Sequence, residues 1–167
     1  FWTGSTMAHI SQQVVLVTGS SRGLVLVIAK AFYDEGAKVV LNWCENRDAA
    51  MNAARQLPGA CSIRADVTVL SDVLELFDEA ERFYGAPITT VVNNALATFT
   101  FDGDNRRHLE DISWDEFDQQ MKGTLQGALN TTKAAIPYFK RAGWGRIVNI
   151  GSNLVQNPVV PYQDYTG

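Results

Sequence analysis

Short apolar runs alternate with amphipathic stretches along the chain, and this alternation limits the possible folds more than any other feature. Residues 14–18 (VVLVT) form a β-branched run that leads into a glycine, as a buried strand would. Residues 23–33 then carry apolar side chains at helical spacing, and Gly36 follows them. The same pattern predicts strands at 14–18, 38–43, 61–65, 89–93 and 146–150, and helices at 23–33, 47–57, 71–83 and 114–141. Strands and helices in this alternation predict a parallel sheet covered on both faces, a doubly wound α/β fold.

Two serines stand where helix caps are expected. Ser71 precedes the apolar residues of the third helix, and Ser113 precedes those of the fourth. A serine hydroxyl at this position accepts a hydrogen bond from a backbone N–H group of the first turn. We therefore predict that both serines cap their helices.

Length and composition exclude several classes of protein. The 167 residues suit one domain, and the net charge of -4 argues against a nucleic-acid partner. No apolar run is long enough to cross a membrane, and the first residues lack a secretory pattern. Cys44 and Cys61 are interpreted as reduced thiols of a cytoplasmic protein. No residue pattern predicts a metal site, and residues 1–11 are interpreted as an extension that precedes the domain.

Polar residues follow several of the predicted strands at the point where each strand ends. They are Thr18, next to Gly19, at the end of the first strand, Asp66 after the third, Asn93 and Asn94 at the end of the fourth and Ser152 after the fifth. In a parallel sheet these ends lie along one edge, and ligands bind in the crevice there. We therefore expect the functional site at this edge.

A glycine-rich loop connects the first strand to the first helix. Its sequence at residues 18–24 is TGSSRGL. Glycine permits a tight turn and lets backbone N–H groups approach a phosphate, and the following helix N-terminus favours negative charge. The loop therefore predicts a dinucleotide site, with the residues Gly19, Ser21, Arg22, Gly23 and Leu24.

The spacing of this loop resembles the T-G-x-x-x-G-x-G loop of the short-chain dehydrogenases/reductases, a Rossmann-type family of NAD(P)-dependent oxidoreductases. Three further segments strengthen the resemblance. Asp66 and Val67 resemble the family's adenine-contacting pair, although an acidic helix cap would also explain Asp66. The triplet Asn93, Asn94 and Ala95 resembles the start of its N-N-A-G motif. Residues 146–152 (RIVNIGS) resemble its fifth strand.

The residues after the second strand bear on the choice of nucleotide. An acidic residue there holds the ribose hydroxyls in enzymes that use NAD, whereas this chain reads Asn42, Trp43 and Cys44, with Glu45 close by. Arg22 resembles the basic residue with which many family members bind the 2′-phosphate. The sequence therefore predicts NADP, with NAD as the alternative.

The resemblance implies a catalytic pair formed by Ser152 and Tyr165, which are thirteen positions apart as in the family. A tyrosine can donate a proton to the developing alkoxide while a serine orients the carbonyl. The ordinary tyrosine pKa is about 10, so a nearby positive charge must lower it. The family uses a lysine four residues after the tyrosine, which would be position 169. We therefore expect residues 12–167 to form a partial Rossmann domain, incomplete at the C-terminal edge of the sheet.

The implied activity is hydride transfer between nicotinamide and a carbonyl or alcohol substrate, similar to that of 3-oxoacyl-[acyl-carrier-protein] reductases. The expected partner is a small carbonyl or acyl thioester compound. An open sheet edge would leave the 167-residue chain marginally stable or cause it to associate with copies of itself, so we expect a homo-oligomer as one outcome. The alternative is a catalytically inactive nucleotide-binding fragment. Val25 and Leu96 replace family glycines, and Thr124 replaces the family's catalytic asparagine, all of which favour that alternative.

Overall fold

The strands lie side by side in one parallel sheet. The computed structural model describes residues 8–19, 23–96 and 108–152. The strands are Val14–Val17 (β1), Lys38–Trp43 (β2), Cys61–Arg64 (β3), Thr90–Asn93 (β4) and Arg146–Asn149 (β5). Their order is β3-β2-β1-β4-β5, with every neighbouring pair parallel. This is the order of a Rossmann-type sheet, so the predicted fold class is confirmed.

Helices cover both faces of the sheet. They are Leu24–Asp34 (α1), Arg47–Gln56 (α2), Leu70–Tyr84 (α3), Trp114–Met121 (α4) and Gly127–Ala142 (α5). Val14 and Leu16 of β1 belong to a core cluster with α3 and α5, whereas Val15 and Val17 belong to a second cluster with α1 and α2. Because both faces are covered, all four residues of β1 are buried, which explains its continuous apolar run. In the described ranges no helix is long and apolar enough to cross a bilayer.

The two predicted helix caps have different outcomes. Ser113 caps α4 in a complete capping box: its hydroxyl accepts from the Glu116 N–H, and the Glu116 carboxylate accepts from the Ser113 N–H. The prediction for Ser71 is wrong. The helix α3 begins at Leu70, and its N-cap, Val69, makes no side-chain cap bond. Ser71 is the second residue of the helix, two positions after the N-cap, and therefore cannot cap it.

The long fourth helix predicted from the sequence is interrupted. A π-helical segment, Lys122–Gln126, separates α4 from α5. The Thr124 hydroxyl donates a hydrogen bond to the Gln120 carbonyl at 2.7 Å. Such back-bonding and the glycine at position 123, a weak α-helix former, favour a local departure from the α-helix. Thr124 thus lies in the irregular turn between α4 and α5.

Candidate active site

The structure brings the described candidate residues to the carboxyl edge of the sheet. They follow β1 (Gly19, Gly23 and Leu24), follow β3 (Asp66 and Val67), end or follow β4 (Asn93, Asn94 and Ala95) or follow β5 (Ser152). Ser21, Arg22 and Tyr165 lie outside the described residues. The strand order reverses between β1 and β4, which is where a crevice opens in a doubly wound sheet.

Thr18 joins the two loops that flank this crevice. Its hydroxyl oxygen accepts hydrogen bonds from the N–H groups of Asn94 and Ala95, both at 3.0 Å. The same hydroxyl donates to the Val92 carbonyl at 3.3 Å, and its backbone N–H donates to that carbonyl at 3.0 Å. The glycine loop and the loop after β4 therefore form one connected unit. The sequence marks Thr18 as a polar strand end but does not indicate these partners.

The glycine loop has room for an anionic ligand at the start of α1. Gly23, the N-cap of α1, has a φ of 62°, and a Cβ atom there would meet nothing within 4 Å. Gly23 has no side chain that could cap the helix, and within residues 8–19, 23–96 and 108–152 no side chain accepts from the N–H groups of its first turn. This arrangement fits a pyrophosphate, since a helix N-terminus offers N–H donors and partial positive charge.

The side chain of Val25, where the resemblance implies a glycine, packs into the core. Val25 is 7% exposed and belongs to the core cluster between α1 and the sheet. Leu24, one residue earlier, is 62% exposed. The valine therefore contributes to helix packing, and its branched side chain is compatible with a ligand at the helix N-terminus.

The loop after β3 is held from two sides. The Asp66 carboxylate accepts from the N–H and the hydroxyl of Thr68, while the Asp66 N–H donates to the Asp72 carboxylate at 3.1 Å. From α5, the buried Asn130 amide donates to the carbonyls of Val67 and Thr68 at 3.0 and 3.1 Å. Asp66 is therefore not the N-cap of α3; its side chain shapes the loop that presents Val67. Nothing in the sequence distinguishes Asn130 as the residue that holds this loop.

Asn93 and Asn94 have different surroundings. The Asn93 amide donates to the Asn149 side chain at 2.9 Å, and its oxygen accepts from the Thr131 hydroxyl at 2.6 Å. These bonds connect β4 with β5 and α5. The side chain of Asn93 is therefore engaged within the protein, whereas Asn94 and Ala95 are half-buried at the edge.

The three residues at the end of β2 are uncharged, and the guanidinium of Arg64 lies beside them. Asn42, Trp43 and Cys44 carry no carboxylate, and burial raises the pKa of the Cys44 thiol, as do the charges of Asp66 and Glu45. Arg64, an exposed residue of β3, donates from Nε to the Cys44 carbonyl at 3.1 Å. A guanidinium thus lies next to the position where a nucleotide ribose is expected. Nothing in the sequence places Arg64 here, because the register of β2 against β3 brings it to this position.

Ser152 is positioned by an extension of the last strand pair. The Ile150 N–H donates to the Asn93 carbonyl at 2.9 Å, which continues the pairing of β4 with β5 beyond Asn149. Ser152 follows two residues later and is half-buried. A hydroxyl at this edge can donate a hydrogen bond to a carbonyl oxygen bound in the crevice.

Known proteins resemble this chain in sequence and in fold. Residues 13–167 match the family profile described as short chain dehydrogenase. The chain is 32% identical to the NADPH-dependent aldehyde reductase 2, chloroplastic, of Arabidopsis thaliana, over 94% of this chain and 61% of that protein. It is 35% identical to a short-chain type dehydrogenase/reductase of Picea abies, over 92% of this chain and 59% of that protein. The chain thus spans about three fifths of the length of these relatives.

A solved structure shows the same fold. A crystal structure of a short chain dehydrogenase from Bacillus anthracis superposes with a TM-score of 0.83 at 22% sequence identity, covering 94% of this chain and 64% of that one. The fold similarity, the profile match over most of the chain and the identity to the plant proteins agree with one another. The chain belongs to the short-chain dehydrogenase/reductase family.

Proposed function

We propose that this protein is an NADP-dependent oxidoreductase that transfers hydride between the nicotinamide and a carbonyl or alcohol carbon. The observation that carries the proposal is the meeting of the glycine loop, the loop after β4 and Ser152 at the strand-order reversal. Oxidoreductases of this family bind their cofactor at such an edge. A 3-oxoacyl thioester or a related small carbonyl compound is the proposed substrate.

Each group of residues has a proposed role. The backbone of the loop at residues 19–24 binds the pyrophosphate, with Ser21 and Arg22 in the middle of that loop, and Asp66 and Val67 bind the adenine. Asn93 supports the sheet beneath the crevice, and Asn94 and Ala95 line it. Ser152 orients the substrate carbonyl by a hydrogen bond, and Tyr165 donates a proton to its oxygen. When bound, the nicotinamide supplies the hydride in the reducing direction.

The preference for NADP is proposed from charge. A 2′-phosphate needs cations, and the end of β2 has Arg64 beside it and no carboxylate at residues 42–44. Arg22 in the glycine loop is the second proposed cation. The name of the Arabidopsis relative, an NADPH-dependent aldehyde reductase, supports the same choice. The carboxylate of Glu45, which is exposed next to Cys44, is the feature that would suit NAD instead.

A nucleotide-binding protein without catalysis is the second candidate. It is favoured by Thr124, which has no carboxamide and whose hydroxyl is engaged with the Gln120 carbonyl in the π-helical segment. Under this hypothesis the chain binds NADP but turns over no carbonyl compound. Cofactor binding and turnover must therefore be measured separately.

The test compares NADPH and NADH as reductants of a short 3-oxoacyl thioester and of a simple aldehyde. We expect kcat/KM to be at least about tenfold higher with NADPH than with NADH. The variant Arg22→Gln should lower kcat/KM with NADPH about tenfold and leave the value with NADH unchanged. Arg82→Gln, which removes an exposed arginine of α3 from the opposite edge of the sheet, is the control and should change neither value.

Two results would contradict parts of the proposal. A higher kcat/KM with NADH would overturn the assignment of NADP. Tight binding of NADPH without oxidation by any carbonyl compound would favour the second candidate over the reductase.

A further inference from the structure

Asn42 occupies a central position at the carboxyl edge, beneath the site. It belongs to β2, which lies between β1 and β3, and its side chain is 2% exposed. Its Oδ1 accepts a hydrogen bond from the Gly19 N–H at 3.3 Å. Its Nδ2 donates to the Ala65 carbonyl at 2.9 Å. One buried amide therefore connects the residue after β1 with the residue after β3.

These two bonds continue the sheet where its backbone pairing stops. The ladder between β2 and β3 ends with the Ala65 N–H donating to the Trp43 carbonyl. The Thr18 N–H is directed to Val92 of β4, on the side of β1 away from β2. The Gly19 N–H and the Ala65 carbonyl thus lie beyond the regular strand pairs, and the Asn42 side chain provides the partner for each.

We propose that Asn42 is a positioning residue that fixes the glycine loop at a set distance from the loop carrying Asp66 and Val67. This inference rests on the proposed function, in which the first loop binds the pyrophosphate and the second the adenine. Both ends of one dinucleotide then meet subsites that one buried side chain connects. A rigid separation reduces the ordering cost of binding, because the loops are already arranged for the ligand.

The chemistry of the side chain explains why asparagine suits this place. The Gly19 N–H requires an acceptor and the Ala65 carbonyl requires a donor, which only an amide of this length supplies together. Aspartate would direct a carboxylate oxygen at the Ala65 carbonyl and add negative charge behind the phosphate subsite. Leucine would fill the volume and leave both backbone groups without this partner.

The variant Asn42→Leu separates positioning from general stability when it is compared with Thr90→Val. Thr90 is 0% exposed, and its hydroxyl donates to the buried Gln13 side chain at 2.7 Å at the opposite edge of the sheet. Both variants remove buried hydrogen bonds with little change of volume, so both should lower the melting temperature. Only Asn42→Leu removes a bond to the glycine loop.

Two readouts are measured on each variant: the exchange rate of the Gly19 amide proton by NMR, and the dissociation constant for NADPH. For Asn42→Leu we expect the Gly19 proton to exchange at least about tenfold faster and NADPH to bind about tenfold more weakly. For Thr90→Val both values should equal those of the wild-type protein. If Asn42→Leu does not fold, Asn42→Ser, whose hydroxyl is too short to reach both loops, is measured instead with the same expectation.

Unchanged Gly19 exchange in the Asn42 variant would overturn the inference, as would an equal loss of NADPH affinity in the Thr90 variant. A wild-type protein that binds no NADPH would contradict the proposed function. In that case the Gly19 exchange rate alone still decides whether Asn42 holds the glycine loop.

Discussion

Replacing Gly19 with alanine is expected to weaken NADPH binding roughly tenfold to a hundredfold. Gly19 has a φ of 66°, a conformation that costs an L-residue about 1–2 kcal/mol. An added Cβ would also lie 3.1 Å from the Ala95 Cα, which cannot easily retreat because Thr18 holds the Ala95 N–H. The glycine loop must therefore shift away from the loop after β4, and the phosphate donors shift with it. Isothermal titration with NADPH measures the effect.

Gly85→Ala is the matched control for this prediction. Gly85 has a φ of 63° at the C-terminus of α3, at the other edge of the sheet, and a Cβ there would meet nothing within 4 Å. The substitution Gly85→Ala therefore imposes a similar backbone strain without a steric clash near the crevice. We expect a lower melting temperature and an unchanged dissociation constant. Equal affinities for the two alanine variants would mean that Gly19 does not contribute to the cofactor site.

Replacing Tyr165 with phenylalanine is expected to lower kcat by a factor on the order of 10³ and to leave NADPH affinity unchanged. The reason is that the variant removes the proton donor for the developing alkoxide, and general acid catalysis contributes about 10²–10⁴ in rate. The measurement is steady-state turnover of the carbonyl substrate, with the cofactor dissociation constant determined separately.

Tyr162→Phe is the control, because Tyr162 is the other tyrosine of the same segment and lies ten residues after Ser152 rather than thirteen. It should retain most of the turnover. Undiminished kcat in the Tyr165 variant would remove this residue from the mechanism. Loss of activity in the Tyr162 variant alone would mean that Tyr162, and not Tyr165, donates the proton.

Much of the fold could be predicted because it depends on patterns that are local in sequence. The continuous apolar run of β1 reflects burial on both faces, and the Ser113 capping box needs only residues 113–116. Ser71 shows the limit of such reasoning. Ser71 would cap α3 only if the helix began two residues later, and the bonds of Asp66 and Asp72 shape the start of this helix.

The site could be predicted only in outline. The carboxyl edge follows from strand polarity, so the positions of Gly19, Asn94 and Ser152 could be anticipated. The roles of Asn42 and Arg64 could not, because they depend on the neighbours of β2 in the sheet, and strand order is not a local property. The hydrogen bond from Thr131 to the Asn93 side chain could not be predicted either, because it depends on the packing of α5 against β4.

The most direct test of the central claim is hydrogen–deuterium exchange of the protein with and without NADPH, followed by mass spectrometry. Binding at the carboxyl edge predicts slower exchange in the presence of NADPH within residues 18–24, 65–68 and 93–96. Residues 57–60 and 84–89, at the opposite edge, should exchange at the same rate in both samples. Slower exchange at the opposite edge alone, or no change anywhere at saturating NADPH, would contradict a nicotinamide cofactor site at the ends of β1, β3 and β4.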